Sequence, residues 1–292
     1  MCHGPSRWLF LLVALALSVV LLAACDDDDD DADGDGDGGG DELTAEEQAA
    51  VDYIEGLFAT FNSGDIPAFL EEFEEPALRA LLEDDETPIE DLKAQAEEFL
   101  SGETVEVIET TDVEATTDSA TVTQVSSIGA TLDNERYELA ADDTDFQVSG
   151  YEDLPEELPE GASALSVSGV DFGYEFDAES AAGGVEAIDF SNDGEQFHQI
   201  SLVRLADGSP ELDTVVTDFV ASSAESGFPD AEYLEEFVTS IFAPPGETSM
   251  TVFRDELQPA RYVMVCFIPD ETQGEEGPPH AELGMASEFT VE

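Results

Sequence analysis

Cys266, His280 and Met285 stand in that order within residues 261–291, between two segments that read as strands, and His198 lies far upstream of them. Past residue 25 the chain has no other histidine and no other cysteine. Two imidazoles, a thiolate and a weak thioether form the donor set that selects copper in a trigonal site with a long axial bond. The bland reading of the same residues is a buried small thiol in a β-structure that holds no metal. The choice depends on whether the surrounding elements bring residue 198 to the segment 266–285.

Residues 1–25 carry no acidic residue, one arginine (Arg7) and an apolar run of 15 residues from Trp8 to Leu22. Such a run is short for a bilayer span and right for a secretory signal. It ends in Leu22-Ala23-Ala24-Cys25, which resembles the lipobox of bacterial lipoprotein signal peptides. The resemblance implies removal of the residues before Cys25 and lipidation of Cys25. It also implies an extracytoplasmic location at the outer face of the cell membrane, with the membrane engaged through the lipid. Cys2 then leaves with the signal, and Cys266 has no folded partner for a disulfide. An unpaired cysteine in an exported protein is reactive, intermolecular or a metal ligand.

Acidic residues number 72 against 7 lysines and arginines, a formal charge of -65. Nothing here could neutralise phosphates, so nucleic acid is excluded as a partner. A hydrophobic content of 42% still supports real cores. Acidity spread over the whole chain, with almost no lysine, resembles proteins adapted to high salt, where screening makes self-repulsion tolerable. Residues 26–43 are dominated by aspartate and glycine and read as a solvated tether.

From residue 44 the pattern is helical. Thr44-Ala45-Glu46-Glu47 has the form of a capping box, and Val51, Ile54, Leu57, Phe58 and Phe61 recur at helical spacing. Asp65, Pro76 and Thr87-Pro88 open three further helices. The period then changes to two, with strands expected over 104–111, 120–132, 136–140 and 145–151 and turns at Asp118-Ser119 and Asp133-Asn134. Helices followed by a meander make an α+β unit over residues 44–153. Asp52, Tyr53, Tyr137 and Asp145 are its available polar candidates, with nothing to single one out.

Prolines and charge mark 154–161 as a linker. From residue 162 to 292 the chain reads as all-β with a helical insertion. Val167, Val170, Phe172, Tyr174 and Phe176 are expected in one strand, and Asn192-Asp193-Gly194 turns the chain into the strand bearing His198. One inserted helix carries Leu212, Val215, Val216, Phe219 and Val220, and a second, from Asp230, carries Tyr233, Leu234, Phe237, Val238 and Ile241. The segment 261–268 is apolar on both sides, as a central strand requires.

Two family resemblances follow. The order of elements and the stretch from Phe61 to Leu70, with its Asn-x-Gly-Asp turn, resemble the NTF2-like (SnoaL-like) superfamily. That implies a cone of helices on a curved sheet, whose pocket could take a small hydrophobic ligand. In the second half, an Asn-x-Gly turn precedes the His-bearing strand, a Pro-x-Arg-Tyr turn leads into the Cys-bearing strand, and His-x4-Met precedes the last strand. This resembles the cupredoxin family, which implies a Greek-key β-sandwich and a type 1 copper site with His198, Cys266, His280 and Met285 as ligands. One departure is that 13 residues separate Cys266 from His280, where small electron-transfer cupredoxins use only a few. The resemblances imply a lipid-anchored copper protein that passes single electrons to an unidentified redox partner and is not an enzyme. The alternatives are copper storage or delivery, and a ligand- or partner-binding lipoprotein whose sandwich holds no metal.

Overall fold

The computed structural model describes residues 43–292, apart from 83, 85, 86, 101, 143, 144, 157, 227, 228, 230 and 274–276. The leader, Cys25 and the tether up to residue 42 lie outside the described residues. Among the described residues no helix is long and apolar enough to cross a membrane.

Thr44 opens α1 (Ala45–Asn62) with the expected capping box: its hydroxyl accepts the Glu47 N–H at 3.2 Å, and the Glu47 carboxylate accepts the Thr44 N–H at 2.7 Å. Helices α2 (Ile66–Glu71), α3 (Glu75–Leu81) and α4 (Ile89–Leu100) follow. They cover one face of an antiparallel meander, β1 (Val105–Ala115), β2 (Ser119–Ile128), β3 (Thr131–Asp142) and β4 (Asp145–Leu154). Ile54, Leu57, Phe58, Phe61 and Phe69 pack there against Val122, Tyr137, Leu139 and Val148. The turn expected at Asp133-Asn134 is instead at Gly129-Ala130. Ile128 pairs with Thr131, and Gly129 has φ 62°. A two-residue hairpin with glycine first suits a type II′ turn, so Asp133 and Asn134 fall inside β3.

The second half holds two sheets with an apolar core between them. One carries β5 (Ala164–Val170), β6 (Gly173–Phe176), β7 (Ala187–Asn192) and β10 (Thr248–Phe253), and the other carries β8 (His198–Leu205), β9 (Leu234–Ala243), β11 (Ala260–Val265) and β12 (Ala286–Val291). Ile188 and Phe190 face Ile200, Leu202, Met264 and Phe289 across this core. A short helix, α5 (Ala178–Ala181), links β6 to β7. Helix α6 (Leu212–Ser226) covers the outer face of the second sheet, where Val215 and Phe219 meet Val203, Val263 and Val265. Strands β8 and β11 are therefore covered on both faces, which explains why successive residues along each are buried.

Two other expectations are corrected. The second inserted helix is strand β9. It pairs along β8 with register shifts at Leu202/Val203 and Arg204/Leu205, and such bulges disturb the alternation that identifies a strand. The single strand expected through Val167–Phe176 is the hairpin β5–β6, turning at Asp171-Phe172 with Phe172 at φ 62°. Apolar residues continue across that turn and hide it.

The halves are also joined. Val252 and Phe253 of β10 pair with Leu132 and Thr131 of β3, so β1–β4 join β5, β6, β7 and β10 in one eight-stranded sheet. Glu156, in the segment expected to be a linker, accepts the Val252 N–H at 2.7 Å, and Arg254 pairs with Glu106 at 2.5 Å.

Candidate metal centre

Three of the four predicted ligands meet at one end of the sandwich. His198 starts β8, Cys266 directly follows β11, and His280 opens a short 3-10 turn, His280–Leu283, before β12. His198 Nδ1 lies 3.2 Å from His280 Nδ1, and Cys266 Sγ lies 3.5 Å from His280 Nδ1. All three donors fall within 4.8 Å of one another, and each residue is fully buried. Met285 is also fully buried and shares the core cluster of Cys266.

The long loop after Cys266 does not carry His280 away. Pro269 and Pro279 form an isolated antiparallel bridge, and the His280 N–H donates to the Ile268 carbonyl at 2.8 Å. The chain is thereby pinched together at Pro269 and Pro279, and His280 is returned beside Ile268. Three more backbone bonds lock the segment: Ala281 N–H to Cys266 O, Met285 N–H to His280 O, and Cys266 N–H to Met285 O.

The donor separations fit a bound ion. For a first-row ion such as zinc, imidazole bonds of about 2.0–2.1 Å and a thiolate bond of about 2.3 Å reproduce the 3.2 Å and 3.5 Å distances from His280 Nδ1 at angles of ~100–110°. The chemistry fits as well. Burial pushes the Cys266 thiol up to about 12, while backbone N–H groups of Ile268 and Gln199 aimed at the sulfur pull the other way. Burial, then the neighbouring His280, pushes His198 down to about 4. Burial likewise lowers His280. Both imidazoles are thus neutral donors at neutral pH, and an ion binding here displaces the Cys266 proton.

Residues that sequence reasoning missed hold these donors. Asn192 donates from Nδ2 to the carbonyls of Gln196 and Ala243 and accepts the Gly194 N–H, so the Asn-x-Gly turn is tied to β9. Gln196 Oε1 lies 3.4 Å from His280 Nε2. Phe172 meets the His280 ring edge-on at 5.1 Å. Only the Asn-x-Gly turn was visible beforehand; the others are partners remote in sequence. Gly194 is needed for space: a Cβ there would sit 2.5 Å from His198 Nε2 and 2.9 Å from Asp171 Oδ1. Gly194→Ala is therefore expected to destabilise the metal-free protein by about 1–3 kcal/mol through overpacking and to weaken metal binding by displacing His198. Denaturant titration and metal competition measure the two effects. A neutral result would show that the loop yields freely.

In the first half, the polar candidates have separate fates. Asp52 is exposed and accepts from Gln48, and Tyr53 donates to Glu72 at 3.0 Å. The side chain of Asp145 lies outside the described residues. Tyr137 is buried and hydrogen-bonds Glu135, a residue that sequence reasoning passed over. Glu135 is buried on the helix-facing side of the sheet, with Ser126 donating to Oε2 at 2.8 Å and the Tyr151 hydroxyl 3.0 Å from Oε1. Its odd-numbered place in β3, in line with Tyr137 and Leu139, was the available clue.

No family model and no curated protein matches the chain. Similar solved structures include a domain of unknown function with a cystatin-like fold from Nostoc punctiforme, at 16% identity and TM-score 0.32, covering 41% of this chain and 82% of that one. They include auracyanin B, at 18% identity and TM-score 0.30, covering 47% of this chain and 92% of that one. They also include auracyanin A, a "blue" copper protein from Chloroflexus aurantiacus, at 17% identity and TM-score 0.27, covering 45% of this chain and 100% of that one.

Proposed function

We propose that the chain binds one copper ion through His198, Cys266 and His280, with the Met285 thioether as the fourth, weaker donor, and passes single electrons. The convergence of one ring nitrogen each from His198 and His280 with Cys266 Sγ within 4.8 Å, all buried, carries this reading. A soft thiolate with two imidazoles suits copper in both of its common oxidation states, and the bound ion would supply the one-electron couple. The chain supplies the rest. Backbone bonds through Ile268, Ala281 and Met285 hold the donors on rigid elements, and burial excludes water. Donors fixed in this way change little when charge changes, which favours electron transfer. Their enclosure favours keeping an ion over delivering it. The lipobox-like Leu22-Ala23-Ala24-Cys25 supports a lipid anchor and an extracytoplasmic place of work.

The test is a copper titration of the full chain followed by visible absorption and electron paramagnetic resonance. One equivalent of Cu(II) is expected to give intense colour. His198→Ala and His280→Ala should each convert it to the weak spectrum of an ordinary tetragonal site. A wild-type protein that takes up no copper, or stays pale when loaded, sinks the reading. Retained colour in His280→Ala alone would remove His280 from the ligand set.

A further inference from the structure

The Gln196 side chain is wedged between the His280 ring and the start of the loop after Cys266. Its Oε1 lies 3.4 Å from His280 Nε2 and accepts the Glu271 N–H at 2.8 Å. The same side chain lies beside the carboxylate of Asp270 and favours its ionised form. Asp270 is buried and anchored, accepting from Thr272 Oγ1 at 2.7 Å and from Gln273 Nε2 at 2.8 Å. Gln196 is itself only 8% exposed, and its backbone carbonyl is held by Asn192.

These contacts decide a question of proton placement. The two ends of an amide are interchangeable until their partners are known. A backbone N–H can only donate, so the atom facing Glu271 is the oxygen; an ionised carboxylate can only accept, so the atom facing Asp270 is the NH2. An oxygen facing His280 Nε2 then requires the proton to be on Nε2. A neutral imidazole has one N–H, so Nδ1 is bare, and Nδ1 is the atom that faces Cys266 Sγ and His198 Nδ1.

We infer that Gln196 is a positioning residue for the metal centre, holding His280 as the Nε2–H tautomer with Nδ1 presented as a free donor. The purpose rests on the reading of His198, Cys266 and His280 as ligands, but the tautomer is a property of the metal-free chain. Outer partners of this kind fix ring orientation, and their loss typically costs about 10–100-fold in metal affinity.

The experiment is long-range proton–nitrogen correlation NMR of the imidazole rings in the metal-free full chain. A Cu(I) competition against a chromophoric chelator accompanies it. The wild type is expected to show His280 protonated on Nε2. Gln196→Met, close in size but without an acceptor, is expected to mix the tautomers and to weaken Cu(I) binding by about 10–100-fold. A purely structural role would lower the thermal midpoint of Gln196→Met and leave its tautomer unchanged, and that result overturns the inference. A metal-free wild type with the proton on Nδ1 overturns it without any variant. A wild type with the proton on Nε2 that takes up no Cu(I) would support the positioning role and remove the copper reading.

Discussion

Cys266→Ser is expected to leave the copper-loaded protein without its intense visible absorption. That absorption requires charge to move from a coordinated thiolate to Cu(II), and beyond residue 25 this chain has one sulfur able to become a thiolate. Serine keeps an atom of similar position in a fully buried pocket, and the Ile268 and Gln199 N–H groups can still donate to it. Its oxygen is hard, however, and Cu(I) prefers soft donors. Cu(I) affinity should therefore fall by more than the roughly 10–100-fold typical of losing an outer partner. Absorption spectra and chelator competition on the same preparation give both numbers. Cys266→Ala serves as the second variant, removing the donor with no new polar atom to bury. Strong colour persisting in both variants would place the chromophore elsewhere and end the proposed assignment.

The donors of the candidate centre were legible because of scarcity. The described residues hold one cysteine and two histidines, which leaves few other ways to build such a site. The strand bearing His198 was legible from the turn before it and the alternation of His198, Ile200 and Leu202, and the central strand before Cys266 from an apolar segment that suits cover on both faces. Strand β9 was not, because two register shifts against β8 disturb its alternation. The hairpin at Asp171-Phe172 was hidden by an aromatic residue at positive φ, where a glycine would have announced the turn. The return of His280 after 13 residues depends on a Pro269–Pro279 bridge, and nothing local in either proline predicts that pairing. Gln196 and His280 meet across 84 positions of sequence, a separation at which only the fold can make the introduction. The sheet shared by the two halves was out of reach for the same reason: it rests on two residue pairs between β10 and β3.

Glu135→Gln is expected to stabilise the protein at pH 8. Glu135 is buried with Asp133 and Asp153 close by, and desolvation followed by the Asp133 charge raises its carboxyl from 4.5 to about 7. Hydrogen bonds from Ser126 and Tyr151 oppose that rise without cancelling it. The proton count agrees. Tyr151 has one hydroxyl proton and two carboxyl neighbours, Asp153 at 2.5 Å and Glu135 at 3.0 Å. If it donates to Asp153, the second contact is a hydrogen bond only when Glu135 itself carries a proton. A pKa raised on folding means that the folded chain binds this proton more tightly than the unfolded one. The group therefore imposes no penalty below about pH 4.5, and its penalty grows as pH rises toward 7 and is fully present above that. The size is on the order of 3 kcal/mol. Glutamine stays neutral at every pH and keeps an acceptor for Ser126 and an NH2 for the Tyr151 oxygen. The gain from Glu135→Gln should thus be greatest at pH 8 and vanish near pH 4.5. His198 and His280, held neutral by burial, act in the opposite sense, losing stability as pH falls below their unfolded value of about 6.5. The measurement is consequently the difference between variant and wild type, from urea unfolding of the metal-free proteins at pH 8, 6.5 and 5, in which the histidine contribution cancels. A difference independent of pH, or a variant less stable at pH 8, would mean that folding does not raise the Glu135 carboxyl and that its three hydroxyl neighbours outweigh its burial.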